Sequence, residues 1–220
     1  MWYSKVNQFF SNSGFQRSIN EPMVYKKVNE NSEVLLLSLY VDDIIYSMLM
    51  EFKQNMMNTF EMTDLGPFQY FLGLEVRQNY GHVHVGQKRY AEELLKRAGM
   101  LNCKTLSTPV NINEKLQLND NSGSVDERRY RKIVGGLLYL THTILDLMFA
   151  VSSVTRYMHC PSKHHMGAVK RILHYIAGTL DLGIQYEHIQ NFGLIGHVNS
   201  DWGGLLDDRR STAGWVFSLG

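Results

Sequence analysis

Hydrophobic and polar positions along the chain divide it into segments of different period. Residues 1–32 alternate weakly and are interrupted by Gly14, Asn20 and Pro22, so only "MVYKKVN" reads as a short strand. From residue 33 to Tyr46 the pattern sharpens: an apolar, partly β-branched run (VLLLSLYV), two carboxylates at Asp42 and Asp43, then a second apolar run (IIY). Length and flanks predict strand, tight turn, strand. Ser47 is placed to cap a following helix to about Phe60, with Leu49, Phe52, Met56 and Phe60 on one face. After the breaker "TDLGP", the stretch "FQYFLGLEVRQNYGHVHVGQ" predicts two strands joined around Asn79-Tyr80-Gly81. Gln87 to Gly99 predicts an amphipathic helix with Tyr90, Leu94 and Ala98 on one face and the i,i+4 pairs Glu92–Lys96 and Glu93–Arg97.

Residues 110–125 are rich in Asn, Asp, Ser and Gly and read as a linker. Beyond them, helical spacing returns at about 126–141, 145–158 and 162–177. The last has Met166, Val169, Leu173 and Ile176 on one side and Lys163, Lys170 and His174 on another. Strand-like alternation resumes near Gly183 in "LGIQYEH", "FGLIGHVNSDW" and "TAGWVFSLG".

Composition supports a folded chain. With 44% hydrophobic residues over 220 positions there is enough apolar surface for a core. The formal charge of +1 hides an asymmetry: residues 128–181 hold eight Lys/Arg against two Asp and five of the nine His, and the rest of the chain sums to −5. The basic segment is a candidate for phosphate contact or simply a solvated face. Cys103 and Cys160 match no disulfide or zinc spacing, so a reducing, intracellular location, cytoplasmic or nuclear and not secreted, is expected. The longest apolar stretch, Ile133 to Val151, carries His142 and Asp146; a central Asp costs about 2.5–3.5 kcal/mol on insertion scales, which argues for buried helices and no membrane partner.

Asp42-Asp43 is the sharpest candidate for chemistry. Two adjacent anions in a cramped turn raise each other's pKa or recruit a cation, and hard oxygen ligands suit Mg²⁺. On spacing alone a plain polar turn remains open. The cluster His159-Cys160-Pro161-Ser162-Lys163-His164-His165 reads as a polar lead-in to a helix or a transition-metal set. His82 and His84 alternate on one strand face, and Asp207-Asp208-Arg209-Arg210 reads as a self-paired turn.

"LYVDDII" resembles the active-site hairpin of reverse transcriptases. The copia-type retrotransposon branch of that family is matched in order by "WYSKV", "GFQRS", "FEMTDLGPFQYFLGLEV", "QKRYAEELLKRAGMLNCKTLSTP", "YRKIVGGLLYLTHT", "RYMHCPSKHH", "AVKRILHYIAGTLDLGI" and "SDWGGLLDDRRSTAGWVFSLG". The resemblance implies an α+β fold: a partial reverse transcriptase palm and thumb over 1–110, a linker and helical connection over 111–181, and an incomplete ribonuclease H-like β-sheet beginning at 182–220. It implies that Asp42 and Asp43 are two of three palm carboxylates holding Mg²⁺, or Mn²⁺, for nucleotide addition. It also assigns Phe71, Leu72 and Gly73 to a primer-contacting hairpin, and Lys163, Lys170 and Arg171 to the phosphates of an RNA–DNA or DNA template-primer duplex.

The departures from the family are specific. Its third metal-binding Asp and its fingers lie upstream of "WYSKV", so a missing fingers and palm segment is needed for activity. The sequence after Tyr46 resembles a small deletion beside the second hairpin strand. Ile144-Leu145-Asp146 stands where the family has Arg-Pro-Asp, and losing the helix-breaking Pro predicts that two helices run together. Asn199-Ser200-Asp201-Trp202 replaces an Asp-x-Asp, leaving Asp201 as a weak metal ligand. The expected protein is a remnant RNA-directed DNA polymerase with little or no activity as an isolated chain. A catalytically silent duplex-binding module and an unstable pseudogene product are the alternatives.

Overall fold

The computed structural model describes residues 2–29, 32, 34–47, 50–111, 114–188, 193–204 and 206–219. It forms two compact units, residues 1–68 and 69–220.

The first unit runs α1 (Trp2–Asn12), β1 (Gln16–Arg17), β2 (Val24–Val28), β3 (Val34–Tyr40), β4 (Asp43–Tyr46) and α2 (Met50–Thr59). The strands form one antiparallel sheet in the order β1-β2-β3-β4. Strict alternation along β3 buries Leu35, Leu37 and Leu39 and leaves Val34 and Leu36 exposed. The buried set packs with Val6 and Phe10 of α1, Tyr25 of β2, and Phe52 and Met56 of α2. Phe10 meets Tyr25 edge to face with centroids 4.9 Å apart. α1 has no clear counterpart in the pattern of residues 1–32. It forms because Val6 and Phe10 lie one turn apart and both are fully buried, each contributing about 1.5–3 kcal/mol.

The apparent deletion after Tyr46 does not remove the second hairpin strand: β4 pairs with β3 from Tyr40↔Asp43 to Leu37↔Tyr46. The Ser47 hydroxyl, expected to cap the helix, instead accepts from the Leu36 N–H at 3.0 Å and extends the hairpin. Leu49, expected on the helix face, lies outside the described residues.

The second unit begins with β5 (Tyr70–Phe71), β6 (Leu74–Asn79), β7 (His82–Gly86) and α3 (Lys88–Ala98). There follow α4 (Glu127–Leu140), a 3₁₀ turn (Leu145–Leu147), α5 (Met148–Thr155), α6 (Lys163–Ala177), β8 (Gly183–Glu187), β9 (Leu194–Ser200) and β10 (Ala213–Leu219). β8 pairs antiparallel with β7, completing a sheet of order β5-β6-β7-β8, while β9 and β10 form a separate hairpin. The main core lies among α3, α4, α5 and α6, where Leu95, Val134, Leu137, Leu147, Val151, Val169 and Leu173 are fully buried.

The two helices around residues 141–147 do not run together, although the chain has no proline there. α4 ends at Leu140 and the 3₁₀ turn starts at Leu145. The break lets Ile144 and Leu147 enter the core. It also brings the Thr143 hydroxyl to 2.8 Å from the Gln87 side-chain oxygen, a buried pairing that a continuous helix would forfeit.

The polar stretch 110–125 has little regular structure, as its composition predicts, but it is strapped down. Asp120 accepts from the Ser122 N–H at 2.8 Å and from the Ser162 hydroxyl. The His164 ring meets Glu114 at 2.6 Å. The hydrogen bonds to Asp120 hold it well below the ordinary carboxylate pKa, first through the Ser162 hydroxyl and then through the Ser122 N–H.

Candidate active site

The β3–β4 turn consists of Val41 and Asp42, and Val41 is held at φ 53°. A β-branched residue in the left-handed region is a real outlier and costs about 1–3 kcal/mol. The hairpin holds this conformation because Leu37 and Leu39 are locked into the core on one side and β4 is registered against β3 on the other. The result presents Asp42 and Asp43 at the exposed tip. Neither carboxylate makes a hydrogen bond or ion pair with any described residue. Elsewhere in this unit Asp64 pairs with Lys53 and Glu21 accepts from the Met23 N–H at 3.2 Å, while the exposed Glu51 and Glu61 are, like Asp42 and Asp43, without a partner among the described residues. Two free, adjacent carboxylates are a fitting but partial donor set for a hard divalent cation, which takes six or more oxygen ligands. Among the described residues no third His, Cys, Asp or Glu joins them.

Phe71, Leu72 and Gly73 lie at the β5–β6 hairpin. Leu72 and Gly73 are its two loop residues, with φ 50° and 81°, the pattern of a type I′ turn. The Leu72 carbonyl accepts from the Tyr139 hydroxyl of α4. A Cβ on Gly73 would sit 2.9 Å from the Tyr139 oxygen and 3.3 Å from its ring. The Tyr139 ring is itself fixed edge to face against Tyr90 of α3, with centroids 4.7 Å apart. The turn is therefore docked on the helical core by a residue that the hydrophobic pattern does not single out.

On α6, Lys163 and Lys170 are exposed, but the Arg171 guanidinium donates to the Thr108 hydroxyl at 2.8 Å and tethers the segment after α3. The histidine cluster resolves as a helix start and not as a metal set. His165 is fully buried; its Nδ1 accepts from the Ser162 N–H at 3.0 Å, and the Ser162 hydroxyl accepts from the His165 N–H at 3.2 Å. This reciprocal pair caps α6. His165 Nε2 lies 3.1 Å from the Gln117 carbonyl, and its ring stacks on Tyr157 with centroids 3.8 Å apart. The Tyr157 hydroxyl lies 3.3 Å from Asp207, and its pKa is pushed up to about 12, chiefly by burial. Asp207 also accepts from the Leu118 N–H at 2.9 Å, while Asp208 pairs with Arg210 at 3.2 Å. Asp201 accepts from the Thr212 N–H at 2.6 Å, closing the loop between β9 and β10.

Comparison with known proteins adds a decisive observation. Residues 1–112 match the family described as reverse transcriptase (RNA-dependent DNA polymerase). The chain belongs to the reverse transcriptase family. Over its whole length the chain is 33% identical to the retrovirus-related Pol polyprotein from transposon RE2 of Arabidopsis thaliana. It is 31% identical to that from transposon TNT 1-94 of Nicotiana tabacum over 99% of its length. These are Pol polyproteins of copia-type retrotransposons, and the chain spans 15% and 17% of their respective lengths. An uncharacterized mitochondrial protein of Arabidopsis thaliana is 37% identical over 84% of this chain and 79% of its own. No solved structure gives a significant match. Reverse transcriptases in general use divalent metal ions and bind a nucleic-acid template-primer. Among the described residues no helix is long and apolar enough to cross a membrane.

Proposed function

We propose that this chain is the later part of a copia-type reverse transcriptase, a remnant whose Asp42 and Asp43 are the surviving metal-binding carboxylates. The observation that carries this reading is the free carboxylate pair held at the hairpin tip by a strained Val41. Asp42 and Asp43 would hold Mg²⁺, or Mn²⁺. A bound metal pair supplies charge to the attacking and leaving oxygens of phosphoryl transfer. The protein's own part is to fix the two carboxylates by the β3–β4 register and to offer the exposed Leu72 side chain of the β5–β6 turn to the primer strand, the Leu72 carbonyl and the Gly73 face being taken by Tyr139. In this reading residues 1–110 are partial palm and thumb, 111–181 a connection, and 182–220 the opening of a ribonuclease H-like sheet carried by the β9–β10 hairpin, since β8 closes the β5–β8 sheet; Asp201 is a lone ligand there.

Two carboxylates leave the metal set incomplete, so the isolated chain polymerises little or nothing until an upstream fingers and palm segment completes it. Primer extension with Mg²⁺ tests this. The purified chain alone should incorporate no nucleotide, and incorporation restored by a supplied upstream fragment should vanish with Asp42→Ala. Incorporation by the chain alone, or incorporation indifferent to Asp42→Ala, overturns the assignment. A silent duplex-binding module is the second reading, favoured by Lys163 and Lys170, which are exposed and make no ion pair among the described residues.

A further inference from the structure

The β9–β10 hairpin has two unlike faces. Its register pairs Leu194 with Leu219, Gly196 with Phe217 and Val198 with Trp215, and alternation places these six residues on one side of the two-stranded sheet. The opposite side carries Ile195, His197, Asn199, Gly214, Val216 and Ser218 and is mixed in character. On the apolar side the Phe217 ring lies across Gly196, where a Cβ would meet it at 2.8 Å. Leu194, Val198, Trp215, Phe217 and Leu219 are nevertheless between 50% and 71% exposed. The loop end of the hairpin is pinned: the Arg156 guanidinium donates to the Thr212 hydroxyl at 2.9 Å, and Asp207 accepts from the Leu118 N–H. The apolar side itself is left uncovered by the described residues.

A two-stranded hairpin alone is marginal in water and needs further strands or a packed face to persist. β9 and β10 pair only with each other among the described residues. Strands left open in this way are usually protected by charged side chains or proline. Leu194–Ser200 and Ala213–Leu219 contain no Asp, Glu, Lys, Arg or Pro. A neutral face offers nothing to a polyanion or a charged peptide, but it meets a copy of itself without like-charge repulsion.

We propose that this face is a self-association surface, on which a second copy of the chain packs hairpin against hairpin about a two-fold axis. The area supports that occupant. With about 60–120 Å² for a buried aliphatic side chain and about 150–250 Å² for an aromatic one, the exposed fractions amount to about 300–550 Å² of apolar surface per copy. At the roughly 65% apolar content of homodimer interfaces, two copies bury about 900–1,700 Å² in all, which reaches the range of specific interfaces, about 1,200–2,000 Å². The same patch on both copies closes the assembly at a dimer.

Sedimentation velocity of the full chain from about 1 to 100 µM tests the surface, with a monomer-to-dimer transition expected inside that range. Tryptophan emission should shift to the blue over the same range, and Trp215→Phe should abolish the shift while keeping the dimer. Phe217→Lys and Val198→Lys, one on each strand of the apolar face, should each raise the dissociation constant about tenfold or more. Val216→Lys places the same charge beside Phe217 on the opposite face and should change it by less than about twofold, which separates loss of the interface from loss of the hairpin. A chain that stays monomeric at every concentration assigns the face to a different occupant and overturns the proposal. So does a dimer that Val216→Lys breaks and Phe217→Lys does not, or a mass that keeps rising beyond the dimer, the mark of open edge-to-edge pairing.

Discussion

The docking of the β5–β6 turn makes Gly73→Ala a quantitative test of the second unit. At φ 81° an alanine incurs about 1–2 kcal/mol of left-handed strain. Its Cβ also displaces the Tyr139 hydroxyl, 2.9 Å from that position, breaking a hydrogen bond to the Leu72 carbonyl that contributes about 0.5–1.5 kcal/mol. The expected destabilisation is about 2–3 kcal/mol. In a Tyr139→Phe background the hydroxyl and its bond are already gone, so Gly73→Ala should cost only the strain, about 1–2 kcal/mol. The cycle should return a coupling of about 1 kcal/mol. Urea unfolding followed by far-UV circular dichroism, weighted towards this unit's helices, measures all four corners. Equal costs in both backgrounds would refute Tyr139 as the reason for glycine, and a neutral Gly73→Ala would refute the turn geometry itself.

Val41→Asn should stabilise the first unit by about 1 kcal/mol, because Asn accepts the left-handed region that Val resists; a lower urea midpoint would contradict the strain. His165 supplies a pH dependence whose sign follows from burial, which holds its imidazole below the ordinary 6.5. The unfolded chain therefore binds that proton more readily than the folded one. The stability is complete above pH 6.5 and is lost as pH falls through the lower folded value. His165→Gln should flatten that slope in urea midpoints taken from about pH 7 to about pH 5, and a parent protein that gains stability on acidification would sink the argument.

Local pattern makes the β3–β4 hairpin, the β6–β7 hairpin and α3, α4 and α6 legible, because alternation or helical spacing there coincides with the buried face. α1 is hidden because its anchors Val6 and Phe10 are embedded among Asn, Gln and Ser, and its stability comes from a sheet formed later in the sequence. The break between α4 and α5 cannot be foreseen from the missing proline, which is only one way to stop a helix; here buried Ile144 and the Thr143–Gln87 pair do it. Asp42 and Asp43 are readable as a candidate site from their flanks alone. The roles of Tyr139 and Asp207, and the contact of His165 with the Gln117 carbonyl, are not, since each depends on a partner 40 or more residues away.

The pairing of β7 with β8 also bears on how the chain is made. His82↔Glu187 and Gly86↔Gly183 join positions about 100 residues apart, so β7 is an open strand edge until the ribosome has passed residue 187. At about 5–20 residues per second that interval is about 5–20 s, far longer than helix formation takes. Completion of this sheet is therefore a late, slow event, and the nascent chain is most vulnerable to mispairing while α4, α5 and α6 are being synthesised.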